Sequence, residues 1–155
     1  MIKKRADIQL MPGAMEVVSH LHNLGIPQAI ATMSNSRSVA IKQRAHPEIF
    51  DLMDVVVTSD DPDVRNRKPA PDCWLTAAQR LKKKRTRCVV VEDLPEGMRS
   101  GFAAGARVVG VPAAWTSPEK IGRGVKVDYM LQRGLLDFPF KQFGLPPLPP
   151  QLTKK

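Results

Sequence analysis

The run Val89-Val90-Val91-Glu92-Asp93-Leu94-Pro95-Glu96-Gly97 constrains this chain more than any other stretch. Three β-branched residues predict a buried strand, and two adjacent carboxylates sit at its carboxyl end, just before a proline suited to open a helix. Open α/β sheets place their ligand sites at that end of their strands. Neighbouring acids repel and raise each other's pKa unless a cation lies between them, which points to a hard ion such as Mg²⁺. A second reading stands beside it: both acids cap the helix that begins near Pro95, because carboxylates favour helix N-termini.

The rest of the chain alternates in the same way. Met15, Val18, Leu21 and Leu24 recur at helical spacing after Pro12, with Gly25 placed to end the helix. A strand over 27–32 follows, then a helix over 34–44 capped by Ser34 or Ser36, a strand over 54–58, and a helix over 71–84 started by Pro71. The third strand covers 87–91, a helix 95–104 is closed by Gly105, a fourth strand covers 107–111, and a short fifth falls within 126–131. This alternation predicts an α/β fold with a mostly parallel sheet and helices on its faces. The expected division is a core domain over 1–137 and a Pro-rich tail over 138–155, extended and pinned at most by Phe140 and Phe143.

With 155 residues the chain has enough for one sizeable core and too little for two. No apolar run approaches the roughly 18 residues that span a bilayer, and the first residues lack the apolar core of a secretory signal. The expectation is a cytoplasmic protein without membrane contact, a mitochondrial address being the alternative. Cys73 and Cys88 have no metal-like spacing and are expected to be small core residues without a disulfide. The net charge of +9 draws attention to Lys82-Lys83-Lys84-Arg85-Thr86-Arg87. Such a run is a solvated helix end favoured by the helix dipole, or else a surface for RNA or an acidic protein through Lys82, Lys83, Lys84, Arg85 and Arg87.

Thr32 closes the first strand, Lys68 precedes Pro69-Ala70-Pro71-Asp72, and Glu92-Asp93 close the third strand. In that order these residues resemble motifs two, three and four of the haloacid dehalogenase superfamily of phosphohydrolases. The wording Leu10-Met11-Pro12-Gly13-Ala14, Asp60-Asp61-Pro62-Asp63-Val64, Leu136-Asp137-Phe138 and Phe143-Gly144-Leu145-Pro146 looks like its pseudouridine-5'-phosphatase branch, and the likeness runs over 10–146. The resemblance implies a Rossmann-like three-layer fold, Mg²⁺ as cofactor, and a small phosphomonoester such as pseudouridine 5'-phosphate as substrate. It also implies attack by an Asp on phosphorus, giving an aspartyl-phosphate that water hydrolyses. Carried over by position, Thr32 hydrogen-bonds a phosphoryl oxygen, with Ser34 and Asn35 as further donors. Lys68 neutralises the phosphoryl group, and Asp93 holds the metal with Glu92 in the same polar network. The competing readings are a strand-end Thr32 that caps its turn and a Lys68 exposed on a loop.

The family's first motif, an apolar strand ending in Asp-x-Asp, is not found here. Asp61-Pro62-Asp63 falls between motifs two and three and is a decoy for it. The cap insertion is missing as well. The sequence therefore reads as a truncated family member, lacking the first, central strand and the cap, and expected to be weak or inactive, a pseudoenzyme. Without that strand its neighbours must pair with each other, accept a substitute such as 5–10, lean on a partner, or leave backbone groups unsatisfied at about 1–3 kcal/mol each. The alternative function is a non-catalytic basic module or structural subunit of an RNA-containing assembly.

Overall fold

The computed structural model describes residues 8–111 and 125–153, and its elements alternate as the apolar patterning requires. Helix α1 spans Ala14–Asn23, strand β1 Ala29–Ala31, α2 Ser36–Ala45, α3 Pro47–Phe50 and β2 Val55–Val57. Then follow α4 over Asp72–Arg80, β3 over Val89–Glu92, α5 over Pro95–Ala103, β4 over Arg107–Gly110 and β5 over Tyr129–Met130. All strand pairs are parallel. The chain is thus the α/β, Rossmann-like fold that the alternation implied.

Pairing divides the strands into two sheets, β1-β2 and β3-β4-β5. Thr32 donates its amide to the Val57 carbonyl, so the even-numbered residues of β1 turn their backbone groups toward β2. The amide of Val111 reaches the Glu92 carbonyl and that of Arg107 the Cys88 carbonyl, so the even-numbered residues of β3 face β4. Alternation along a strand then leaves Ala29 and Ala31 of β1, and Val89 and Val91 of β3, directed at the gap between the sheets. The chain does not close ranks across it. Val91, expected to be buried, is 40% exposed for this reason, whereas Val90 behind it is 4% exposed. The 5–10 stretch supplies no substitute within the described part: residues 8–10 form no strand, and the Ile8 carbonyl accepts from His46 Nε2 at 2.8 Å. Residues 5–7 lie outside the described residues.

Several local expectations shift by a turn. Helix α2 is capped by Asn35, whose Oδ1 accepts the Ser38 amide at 2.9 Å, in place of Ser34 or Ser36. Helix α4 stops at Arg80, short of Lys84, because Lys82 takes the left-handed conformation with φ 55°. Arg87 belongs to a 3₁₀ turn over Arg85–Arg87, and the third strand begins only at Val89.

A 3₁₀ turn over Leu135–Asp137 leads into the Pro-rich tail, which is only partly extended: it carries 3₁₀ turns over Phe140–Phe143 and Pro150–Leu152, with neither helix nor strand over 145–149. Phe138, Phe140 and Leu148 are buried with Val17, Val109, Val111 and Leu131 in one core cluster. Burying each large side chain stabilises by about 1.5–3 kcal/mol, which outweighs the extended bias of the prolines. A second cluster joins Val90, Met98 and Val108, and a third Val57, Cys73 and Ala77; Trp74 packs against both. Cys73 and Cys88 are free thiols, Cys73 in the core and Cys88 part-buried.

Candidate functional site

Sequence order brings three chain segments to the carboxyl ends of β1 and β3. Thr32 follows the last residue of β1, Lys68 stands on the loop before α4, and Glu92-Asp93 span the junction of β3 and α5. Lys68 is the hinge of the arrangement. Its Nζ donates to the Ala31 carbonyl at 3.2 Å and ion-pairs with Glu92 Oε1, so one ammonium joins the end of β1 to the end of β3. The two side chains are only 8% and 11% exposed. Lys68 is therefore not an exposed loop residue. Trp74 lies under its Nζ, 4.1 Å from the ring centroid, and shields the pair from water on that side.

Glu92 is fully engaged. Its Oε2 accepts the amides of Asp93 at 3.0 Å and Leu94 at 3.2 Å, in the turn before α5, whose own first-turn amides receive no side-chain cap, while Oε1 takes Lys68. Burial, then the adjacent Glu92 charge, raise the Asp93 carboxyl above the ordinary carboxylate value, with Lys68 acting against them. That is the state a cation beside Asp93 would relieve. Among the described residues no three acid, His or Cys side chains gather as a ready-made cage.

Thr32 Oγ1 accepts the Ser34 amide at 3.1 Å, so it does cap its turn, and its own hydrogen remains to be donated. Ser34 Oγ accepts from Lys42 Nζ at 2.9 Å, and the Asn35 amide oxygen is committed to the cap of α2. The structure thus gathers Lys68, Glu92 and Asp93, places Thr32 one residue beyond the Ala31 carbonyl that Lys68 meets, and gives Ser34 and Asn35 other partners.

Two supporting residues had a signal too weak to single out. Gly97, in the first turns of α5, lies where an added Cβ would fall on the Glu92 carboxylate, so only glycine leaves that side chain room. Trp74 follows Asp72 by two positions on α4, which aims its ring back at the loop carrying Lys68. The decoy pair is held elsewhere: Arg80 binds Asp61 at 2.7 Å and Asp63 at 2.8 Å, and the Asp61 carboxyl is lowered by that contact. The basic run over 82–87 is exposed at the opposite end of β3 from Lys68 and takes no part in the site. Among the described residues no helix is long and apolar enough to cross a membrane.

Comparison with known proteins identifies the family. Residues 1–105 match the haloacid dehalogenase-like hydrolase family. The chain is 41% identical over 143 residues to a probable pseudouridine-5'-phosphatase of Drosophila melanogaster, covering 90% of this chain and 60% of that protein. It is 39% identical over 142 residues to (DL)-glycerol-3-phosphatase 2 of Arabidopsis thaliana, covering 90% and 58%. The chain therefore spans somewhat under two thirds of the length of these relatives. Among solved structures, a HAD hydrolase from Entamoeba histolytica superposes with a TM-score of 0.76 at 26% identity, over 96% of this chain and 63% of that one. CbbY from Rhodobacter sphaeroides in complex with phosphate superposes with a TM-score of 0.71 at 27% identity, over 82% and 56%. Fold, motif order and sequence together make this chain a member of the haloacid dehalogenase-like hydrolases.

Proposed function

We propose that Thr32, Lys68 and Asp93 form the phosphate- and cation-handling part of a phosphohydrolase site whose substrate class is a small phosphomonoester, of the pseudouridine 5'-phosphate or polyol phosphate kind. The Lys68 ammonium carries the reading: a fixed positive charge, largely removed from water, held at the Ala31 carbonyl one residue before Thr32 and close enough to Asp93 to act on its carboxyl. In such surroundings a charge-assisted hydrogen bond to a phosphoryl oxygen is stronger than in water. The names of the relatives, a pseudouridine-5'-phosphatase and a glycerol-3-phosphatase, favour the same substrate class.

Electrostatics decide what must accompany the phosphate. Glu92 already neutralises Lys68, and Asp93 adds a further negative charge, so a phosphate dianion alone is repelled. A divalent cation reverses the sign. Mg²⁺ keeps several waters and binds through one or two carboxylates plus phosphate oxygens, so Asp93 alone is a sufficient protein anchor, and Glu92 serves by orienting Lys68. When bound, the ion would neutralise charge on the phosphoryl group. Thr32 would donate to one phosphoryl oxygen and Lys68 to another, while Trp74 excludes water behind the ammonium.

Among the described residues, Glu92 is tied to Lys68 and two amides, and Asp61 and Asp63 are tied to Arg80. We therefore assign this chain Mg²⁺-assisted binding with weak turnover at best. The test combines titration calorimetry with phosphate release, using pseudouridine 5'-phosphate and glycerol 3-phosphate with and without Mg²⁺. The expected result is Mg²⁺-dependent binding, weakened at least about tenfold by Asp93→Asn, with release near the uncatalysed rate. Rapid release would overturn the assignment of weak turnover. Binding indifferent to both Mg²⁺ and Asp93 would overturn the site.

A further inference from the structure

Lys42 carries its charge to the wrong end of its own helix. It stands in the last turn of α2, where a cation is favoured by the helix dipole. Its ammonium instead runs back toward the N-terminus, about 9 Å along the axis for the six residues to Ser36, and donates to the Ser34 hydroxyl at 2.9 Å. Positive charge is disfavoured at that end of a helix, so the stability of α2 does not account for the contact. What lies there is the turn that follows Thr32.

That turn leaves hydroxyl hydrogens unspent. Thr32 Oγ1 accepts the Ser34 amide at 3.1 Å, and Ser34 Oγ accepts from Lys42. An ammonium only donates, so the Ser34 hydrogen points away from Lys42, and it has no acceptor among the described residues. The Ser34 carbonyl accepts the Ser59 amide at 3.0 Å, two residues beyond β2, which fixes the turn to the sheet.

Charge is divided unevenly across the site. On the β3 side Glu92 neutralises Lys68 and Asp93 adds a negative charge. On the β1 side Arg67 reaches the Met33 carbonyl at 3.5 Å, and neither Arg67 nor Lys42 has an ion pair among the described residues. The acid that meets this turn, Asp60, is held by the Ser36 amide at 2.8 Å and the Ser36 hydroxyl at 2.6 Å. We propose, resting on the phosphate reading above, that Lys42 is a positioning residue of that site: it holds the Ser34 hydroxyl as a second donor beside Thr32 and supplies the positive charge that Lys68, paired with Glu92, does not. The anion is thereby drawn to the Thr32 turn and the cation to Asp93. Lys42 and Arg67 are exposed, so salt screens this attraction.

The test is titration calorimetry of the full 155-residue chain with inorganic phosphate in the presence of Mg²⁺, at low and at high ionic strength, and with Mg²⁺ alone. Lys42→Met, which keeps the stem, is expected to weaken phosphate binding about three- to fivefold at low salt, the scale of one exposed charge contact, and by less at high salt. Lys42→Arg should restore most of the affinity. Ser34→Ala should weaken binding by a similar factor, and the double variant should bind little worse than either single one, since the two side chains act through one contact. Affinity for Mg²⁺ alone should not fall in Lys42→Met. A loss that salt leaves unchanged and Lys42→Arg does not restore would mean that Lys42 only pins the turn, and would overturn the inference. So would phosphate binding by Lys42→Met equal to that of the wild type, while Asp93→Asn still weakens it; the phosphate site then stands without Lys42. If the wild type shows no Mg²⁺-dependent phosphate binding, the site reading and this inference fail together.

Discussion

Replacing Lys68 by Met tests how much of the structure depends on the ammonium that links the two sheets. Lys68 and Glu92 are 8% and 11% exposed, so both charges are largely desolvated and solvent screens their attraction little. Removing one partner of such a pair typically costs about 3–5 kcal/mol, because the other charge is left buried. Glu92 keeps two amide donors, at 3.0 and 3.2 Å, which places the expected loss near the lower end, about 3 kcal/mol. Methionine preserves the packing of the stem against Trp74, so the loss reports charge more than volume. For a chain of this size the shift in melting temperature is about 10 °C. Urea melts followed by circular dichroism should show it, and Glu92→Gln should cost less, about 2 kcal/mol. The double substitution should then cost about 2 kcal/mol less than the sum of the single ones, since neither charge remains to be stranded. If Lys68→Met costs under about 1 kcal/mol and the two changes simply add, the pair behaves like an exposed one and the reasoning is refuted.

Three further outcomes can be measured independently. Phe140→Ala should destabilise by about 3–5 kcal/mol in the same melts, because the ring is 3% exposed within a core cluster; a change under about 1 kcal/mol would mean the tail only rests on the surface. Gly97→Ala should cost about 1–3 kcal/mol by pushing into the Glu92 carboxylate, and the loss should vanish in a Glu92→Ala background, where only the better helix propensity of alanine remains. The hydroxyls of Ser36 and Thr58 and the Ser36 amide hold the Asp60 carboxyl down at about 2, from an ordinary 3.8. A depressed acid stabilises above its unfolded value and loses that contribution as pH falls through its folded value, so the gap in melting temperature between wild type and Asp60→Asn should be constant from pH 7 to about 4 and close between about 4 and 2. A gap independent of pH would contradict it.

What the sequence disclosed depended on range. Strand β3 was legible because Val89-Val90-Val91 has no other good use than a sheet, and α1 because its apolar spacing ends at Gly25, which takes φ +68°. The order Thr32, Lys68, Glu92-Asp93 located the rim for the same reason: each residue sits beside a strand end that local pattern defines. Helix α3, four residues long, is too short to show a period, and the contact of His46 with Ile8 that precedes it is non-local. Asn35, Ser34 and Ser36 are all good caps, and only Asp60, which takes the Ser36 hydroxyl and amide, settles the choice. The prolines bias the local backbone toward extension, but how much of the tail is buried was not legible, because the burial of Phe138, Phe140 and Leu148 depends on α1 and β4 far away in sequence. The split of the sheet is likewise a matter of which strands pair, which no local pattern encodes. Nor could spacing reveal that Glu92 turns to Lys68 and to the amides of Asp93 and Leu94.

The central claim is that Thr32, Lys68 and Asp93 form one site for a phosphate and its cation. Amide chemical-shift mapping with inorganic phosphate in the presence of Mg²⁺ tests it most directly. The expected result is saturable movement of the amides of Thr32, Lys68 and Asp93 along a common binding curve, lost when Mg²⁺ is withheld. Shifts confined to 82–87, insensitive to Mg²⁺, would contradict the claim and assign phosphate to the exposed basic run instead.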